Sequence, residues 1–140
     1  MQTADILDVI GGLTSRLKMY AAKLPPIVHL SAVPAGIKPQ SEAIEDYEEL
    51  VSRIRAQSAG TPYRSLNHSL IESLEAFEAG RLLGAVQSLL ALLDQLERMK
   101  QDKEIEVGRL DEKHMADYRV ALLKILPGNK PELDGAGRGM

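Results

Sequence analysis

The chain has no cysteine among its 140 residues. This absence excludes a disulfide framework, a thiolate zinc site and a cysteine nucleophile. It also fits a reducing compartment. No basic segment opens the chain, and Asp5 follows almost at once, which argues against a secretory signal. We therefore expect a cytoplasmic protein.

Aromatic residues and long apolar runs are also scarce. With one Phe, four Tyr and no Trp, the core should be aliphatic, and no aromatic platform is available on which bases could stack. No apolar run approaches the ~18 residues that span a bilayer, so we expect no membrane partner. The formal net charge of -3 gives no reason to expect a nucleic acid as the partner of the whole chain.

Residues 81–96 carry the strongest pattern in the sequence. Placed on a helix at about 100° per residue, their apolar side chains fill about half of the circumference without a gap. These side chains are Leu82, Leu83, Ala85, Val86, Leu89, Leu90, Leu92, Leu93 and Leu96. A surface helix needs an apolar stripe of only ~100° or slightly more. The pattern therefore predicts a central helix, ending near Lys100, that contacts two or three neighbours.

A first helix is predicted to begin at Thr3, its expected N-cap, and to end at Pro25 and Pro26. Its apolar residues recur at spacings of 4, 3, 4, 3 and 4. This heptad seam could pair within the bundle, with another copy or with a partner helix. The seam consists of Ile6, Ile10, Leu13, Leu17, Tyr20 and Leu24. The pair Gly11–Gly12 inside the helix predicts either a close helix contact or a bend.

Residues 25–40 form an unusual connection. Prolines and a glycine interrupt it too often for a regular helix, yet several of its side chains are too apolar for a solvated loop. These side chains are Ile27, Val28, Leu30, Val33 and Ile37. One interpretation is a connection that lies along the bundle and buries them; the other is an exposed apolar segment that docks a partner. Connections of this length are uncommon in compact domains and are often functional.

Two more helices are predicted before the central one, and a break is predicted after it. The second helix has Ser41 as its N-cap and ends before a turn at residues 58–62. The third begins near Pro62 and closes on Gly80 as a C′ glycine. Charged residues and a glycine at 101–108, where the heptad phase fails, favour a break. The alternative is one long helix with a stutter.

The last helix is expected to begin at Ile105 or Arg109 and to end at Leu126. The sequence thus predicts an all-α, single-domain bundle of about five helices, with a long proline-containing connection between helices 1 and 2. We expect no strand, and the sequence has no internal repeat. We assign residues 1–126 to the bundle domain and residues 127–140 to a flexible C-terminal tail.

The histidines do not form a pattern typical of a metal site. His29, His68 and His114 lie in different segments. His68 has Glu72 on the same helix face, and His114 has Asp111. A di-iron bundle needs two Glu-x-x-His motifs and two further inward glutamates, and the chain has no such motif. We therefore expect no metal and no cofactor.

Catalytic motifs are absent as well. The sequence has no Gly-x-Ser-x-Gly motif and no glycine-rich phosphate loop between a strand and a helix. The acidic residues between 42 and 49 are interpreted as a solvated helix face. We expect that the chain is not an enzyme.

Our leading hypothesis is a non-catalytic adaptor, chaperone-like or assembly subunit. It would bind a protein partner or form a homo-oligomer through apolar helix faces. The candidate partner-binding residues are the five apolar side chains of the connection and a strip of small residues on the back of the central helix. That strip consists of Gly84, Ser88 and Ala91. It could permit the close approach of another element, or it could be a solvated face.

The alternative hypothesis is a small helical subunit that contacts nucleic acid within a larger complex. Arg16, Lys18, Lys23 and Lys38 form a modest basic patch. Three or four such charges would give weak, salt-sensitive contact.

Overall fold

The computed structural model describes residues 2–22 and 39–125. Within these ranges it contains five α-helices, one 3₁₀ helix and no strand, which confirms the predicted all-α bundle. In chain order the elements are α1 (Thr3–Ala22), α2 (Ser41–Ser58), the 3₁₀ helix (Pro62–Leu66), α3 (Asn67–Glu78), α4 (Leu82–Gln101) and α5 (Arg109–Ile125). None of these helices is both long enough and apolar enough to cross a membrane. The predicted tail, residues 127–140, lies outside the described residues.

The two ends of the bundle show how the helices run. At one end Tyr20 of α1 and Tyr47 of α2 both pack on the ring of Phe77 in α3; we call this the aromatic end. At the other, the threonine end, the Thr3 hydroxyl bonds to the hydroxyl of Tyr63 and to the carbonyl of Glu106, just before α5. It follows that α1, α3 and α5 run in one direction and α2 and α4 in the other.

The central helix is confirmed. α4 contacts α1, α3 and α5. Seven of the nine side chains in its predicted apolar arc are fully buried, and the remaining two, Leu83 and Leu90 at one edge, are half-buried. The arc is therefore core, with one edge reaching the surface.

α1 is as central as α4, a position that the sequence did not single out. It contacts α2, α4 and α5. The first four residues of its seam are 0% exposed and Tyr20 is 8% exposed, while Leu24 lies outside the described residues. Leu7 and Val9, which flank the seam, are buried too, because α1 has neighbours on several sides.

The glycine pair of α1 serves close contact and not a bend. A Cβ at Gly11 would lie 2.7 Å from the hydroxyl oxygen of Tyr118 in α5. A Cβ at Gly12 would lie 3.2 Å from Cδ1 of Leu50 in α2. Since the helix continues without interruption through both residues, the two glycines let side chains from both neighbours reach its backbone.

Both predicted N-caps were wrong by one residue. Thr3 is the first residue of α1, and its buried hydroxyl is used for contacts with other segments. The N-terminus of α1 is capped instead by Asp5, whose carboxylate accepts a hydrogen bond from the Gln2 amide at 2.8 Å. In α2 the N-cap is Gln40, which makes no side-chain capping bond, and Ser41 is the first helical residue.

Two helices end in the same way, on residues of different kinds. At the end of α3, Gly80 has φ +76°, and the Arg81 amide donates to the Ala76 carbonyl at 2.8 Å, as in a Schellman motif. At the end of α4, Lys103 has φ 62°, and the Glu104 amide donates to the Met99 carbonyl at 2.9 Å. This second closure confirms the predicted break and contradicts the single long helix.

The expectation of an aliphatic core was only partly right. Leucine is the commonest buried residue, but Tyr47 and Phe77 are among the largest fully buried side chains. Their rings stack with centroids 4.5 Å apart, and Tyr20 meets Phe77 edge-on at 5.6 Å. The few aromatic residues are therefore concentrated in one cluster at the aromatic end.

Candidate interaction surfaces

Gly84, the first residue of the small-residue strip of α4, lies beside α3. A Cβ at Gly84 would be 3.3 Å from Cβ of Ala76, so the close approach that glycine permits there is made by α3 of the same chain. The Ser88 hydroxyl donates to the Gly84 carbonyl at 2.9 Å. Ala91 is exposed. Binding of a partner to this strip stays a prediction.

The same helix pair contains a buried polar contact that sequence reasoning missed. The Ser73 hydroxyl of α3 donates to the Ala85 carbonyl of α4 at 3.4 Å and accepts from the Tyr47 hydroxyl. Burial raises the pKa of Tyr47. The available signal was a row of small residues in α3, Ser69, Ser73 and Ala76, all of which are buried.

The apolar side chains of the connection, from Ile27 to Ile37, lie outside the described residues. The helices on either side of it are described, and α1 ends where α2 begins, at the aromatic end. Such antiparallel neighbours are commonly joined by about 2–8 residues, whereas 18 residues separate Ala22 from Ser41. The connection is therefore longer than the closure of this helix pair requires.

The net negative charge of the described residues is carried by α2, α3 and the segment between them. Residues 41–78, which include α2 and α3, hold eight acidic and three basic side chains, whereas the other described residues hold ten of each. All eight acids are exposed: Glu42, Glu45, Asp46, Glu48, Glu49, Glu72, Glu75 and Glu78. The outer surface of α2 and α3 is therefore acidic, and it does not favour a polyanion.

Two of the basic side chains of α4 and α5 pair with acids. Arg119 lies 2.7 Å from Asp94, and Lys100 contacts both Glu97 and Glu112. In the predicted basic patch, Arg16 is half-buried and Lys18 is exposed, while Lys23 and Lys38 lie outside the described residues. The part of the patch that is described thus offers two charges.

The histidines that the structure describes are isolated from further metal ligands. His68 lies 3.5 Å from Glu72 at the surface, and His114 stacks on the ring of Tyr118. No group of three or more candidate ligands occurs within residues 2–22 and 39–125. His29 falls in the segment that is not described.

A cleft of about 460 Å³ opens at the threonine end, between the start of α1, the 3₁₀ helix and the residues that precede α5. Thr3 and Tyr63 line it, and their hydroxyl groups bond to each other. The Asp111 carboxylate at its edge accepts from the Gly108 amide at 3.0 Å. The lining also includes the exposed residues Glu104 and Glu106.

Three large apolar side chains in the described part of the chain are more than half exposed: Met19 of α1 and Leu110 and Val120 of α5. Single exposed apolar residues are normal on a monomer surface and do not mark a binding patch.

Comparison of the chain with protein-family models, with characterised proteins and with solved structures finds no match. Its function is therefore argued from its own residues.

Proposed function

We propose that this protein is a non-catalytic interaction or assembly subunit that binds other protein chains through apolar segments of a helical bundle. The observation that carries the proposal is the connection between α1 and α2. It joins two helix ends at the same end of the bundle, yet it is 18 residues long and carries six large aliphatic side chains, the five named above and Leu24. A chain length beyond what closure needs, combined with this apolar content, is typical of a docking segment.

The distribution of polar chemistry supports a binding role over catalysis. The buried hydroxyl groups of Thr3, Tyr47 and Ser73 hydrogen-bond to one another or to carbonyl groups. The carboxylates of α2 and α3 lie on the outside. A catalytic acid or base usually sits in a cleft, whereas these carboxylates lie on the outer surface.

The nucleic-acid alternative has less support. The described residues include 18 acidic and 13 basic side chains, and the acidic excess lies on α2 and α3. A filter-binding titration over a range of salt concentrations tests it. Absence of binding, or binding without a salt slope, removes this alternative.

Affinity capture with matched variants tests the main proposal. The full chain and the triple variant Ile27→Asp, Val28→Asp, Leu30→Asp are each used to capture proteins from the native host, and the captured proteins are quantified by mass spectrometry. We expect that the triple variant keeps the melting temperature of the parent chain but loses the partner, which is then purified and titrated directly against both.

A control variant places the same kind of charge elsewhere. Leu110→Asp with Val120→Asp alters two exposed apolar positions of α5 and should retain the partner. If the triple variant is strongly destabilised, its residues are ordinary core. If no captured protein distinguishes it from the control, the proposal is wrong.

A further inference from the structure

α1 is attached to the rest of the bundle differently from the other helices. α2, α3, α4 and α5 follow one another through segments of three residues (59–61 and 79–81) or seven (102–108), apart from the 3₁₀ helix. α1 precedes them across 18 residues. It lies in a groove whose walls are α2, α4 and α5, so the last four helices form a continuous unit and α1 is the separate piece that fills it.

The groove is selective for the helix that fills it. The hydroxyl of Tyr118 and the side chain of Leu50 occupy the space where Cβ atoms at Gly11 and Gly12 would lie. Eight residues earlier, Thr3 both accepts from Tyr63 and donates to the Glu106 carbonyl. An arbitrary amphipathic helix lacks a glycine pair and a hydroxyl at this spacing. The helix that meets these demands is α1 itself.

A second copy of the chain offers the same helix. Eighteen residues can span at most ~60 Å when extended, about twice the length of a 20-residue helix at ~1.5 Å per residue. The connection is thus long enough to deliver α1 to a neighbouring molecule. The contacts made in the groove would be the same in either case.

We infer that the groove of α2, α4 and α5 accepts α1 from a second copy, so that two chains exchange their first helices and form a reciprocal dimer. The competition with the chain's own α1 is set by the effective concentration of that helix at its own groove. The closed monomer dominates in dilute solution. The exchanged dimer dominates when the connection cannot close. This inference rests on the proposed assembly function but concerns the purified chain alone, so capture of a partner can fail without affecting it.

Shortening the connection tests the exchange. Deletion of residues 23–40 joins Ala22 directly to Ser41, so α1 continues into α2 and cannot return to its own groove. We expect light scattering to report twice the mass of one chain, with helix content retained. Deletion of residues 26–35 is the matched control, because it leaves eight residues, enough to close an antiparallel helix pair, and should give a monomer.

Cross-linking of the full-length chain is a second test of the exchange. The chain has no cysteine, so Gly12→Cys in one copy and Leu50→Cys in another report contact between α1 and α2 of different copies. The Gly12→Cys and Ser52→Cys copies also carry Leu50→Ala, so that the new side chain at position 12 fits every groove equally well. The two variants are mixed in denaturant, refolded together at high concentration and oxidised. We expect a disulfide between copies well above that obtained with the Ser52→Cys copy, whose cysteine is on the exposed face of α2.

A folded monomer from the 23–40 deletion overturns the inference, as does an inter-copy disulfide no more abundant than that of the Ser52→Cys control. If the deletion variant does not fold, the cross-linking result alone decides.

Discussion

Gly11 and Tyr118 form a close contact between α1 and α5. Alanine favours a helix over glycine by roughly 1 kcal/mol, so Gly11→Ala would stabilise an isolated helix. In the bundle the new Cβ would lie 2.7 Å from the Tyr118 hydroxyl oxygen, and overpacking typically costs about 1–3 kcal/mol. We therefore expect Gly11→Ala to lower the free energy of unfolding by about 1 kcal/mol, as measured by urea titration with circular dichroism.

The same substitution should change sign when the obstacle is removed. In a Tyr118→Ala background, Gly11→Ala should raise the free energy of unfolding by up to ~1 kcal/mol, because only its helix propensity remains. The two backgrounds form a double-mutant cycle. Equal effects in both would show that the glycine is not there to admit the ring.

Tyr47 gives the bundle a dependence on alkaline pH. Burial raises the pKa of its hydroxyl above the ordinary value, which is about 10 in an unfolded chain. Above that pH the unfolded state loses a proton that the folded state keeps. Its contribution to stability is therefore complete below pH ~10 and is lost at about 1.4 kcal/mol per pH unit as the pH rises.

Replacement of this hydroxyl separates the titration from the packing. Tyr47→Phe should cost about 1 kcal/mol at neutral pH, the usual net value of one hydrogen bond, while Ser73 continues to donate to the Ala85 carbonyl. Above pH ~10 the free energy of unfolding of the variant should fall with pH less steeply than that of the parent. The difference in slope should be at most about 1.4 kcal/mol per pH unit, the slope that one proton contributes. Urea titrations at several alkaline pH values measure both slopes, and parallel slopes would contradict the assignment.

At the scale of the element, the ends of α3 and α4 form a natural matched pair. Both close on a residue with positive φ, Gly80 in one and Lys103 in the other. The left-handed conformation costs a residue with a Cβ roughly 1–2 kcal/mol. Gly80→Ala should thus be destabilising by about that amount, and Lys103→Gly stabilising by up to ~1 kcal/mol.

Lys103 is exposed, so its replacement removes little packing. Thermal melts of the two single variants and of the double variant measure the effects, which should add because the sites lie in different hairpins. A loss of stability in Lys103→Gly would show that its side chain, and not its backbone, matters at this turn.

Most elements could be predicted from the sequence, because each has a local signal. The apolar arc of residues 82–96 identified the central helix, and the helix-breaking residues Gly80 and Gly108 indicated a break on either side of it. The caps at Thr3 and Ser41 were misplaced, since a hydroxyl that suits capping suits other contacts equally well. Propensity does not show that Thr3 instead bonds to Tyr63.

The arrangement of the whole molecule was beyond local reasoning. The seam of α1 predicted a buried face but not which helices would cover it, and Gly11 predicted a close contact but not Tyr118 as the neighbour. These residues lie more than 100 positions apart. No periodicity in either helix specifies that the first and last run parallel. Of the candidate site, the unusual length of the connection was apparent from the sequence, but not that α1 and α2 meet at one end of the bundle, where a short turn could join them.

The threonine end joins the first helix to the rest of the molecule, and it provides a test of that closure. Tyr63 donates to Thr3, and Thr3 donates to the Glu106 carbonyl. Tyr63→Phe removes the first bond and leaves the second, so it should cost about 1 kcal/mol. Thr3→Val leaves the Tyr63 hydroxyl without its acceptor and the carbonyl without its donor, and it should cost about 2–3 kcal/mol. Urea titrations rank the two variants. Hydrogen exchange of Thr3→Val should show the larger loss of protection first in α1, because these bonds hold α1 to the other four helices. An equal loss of protection in every helix would mean that α1 does not open separately.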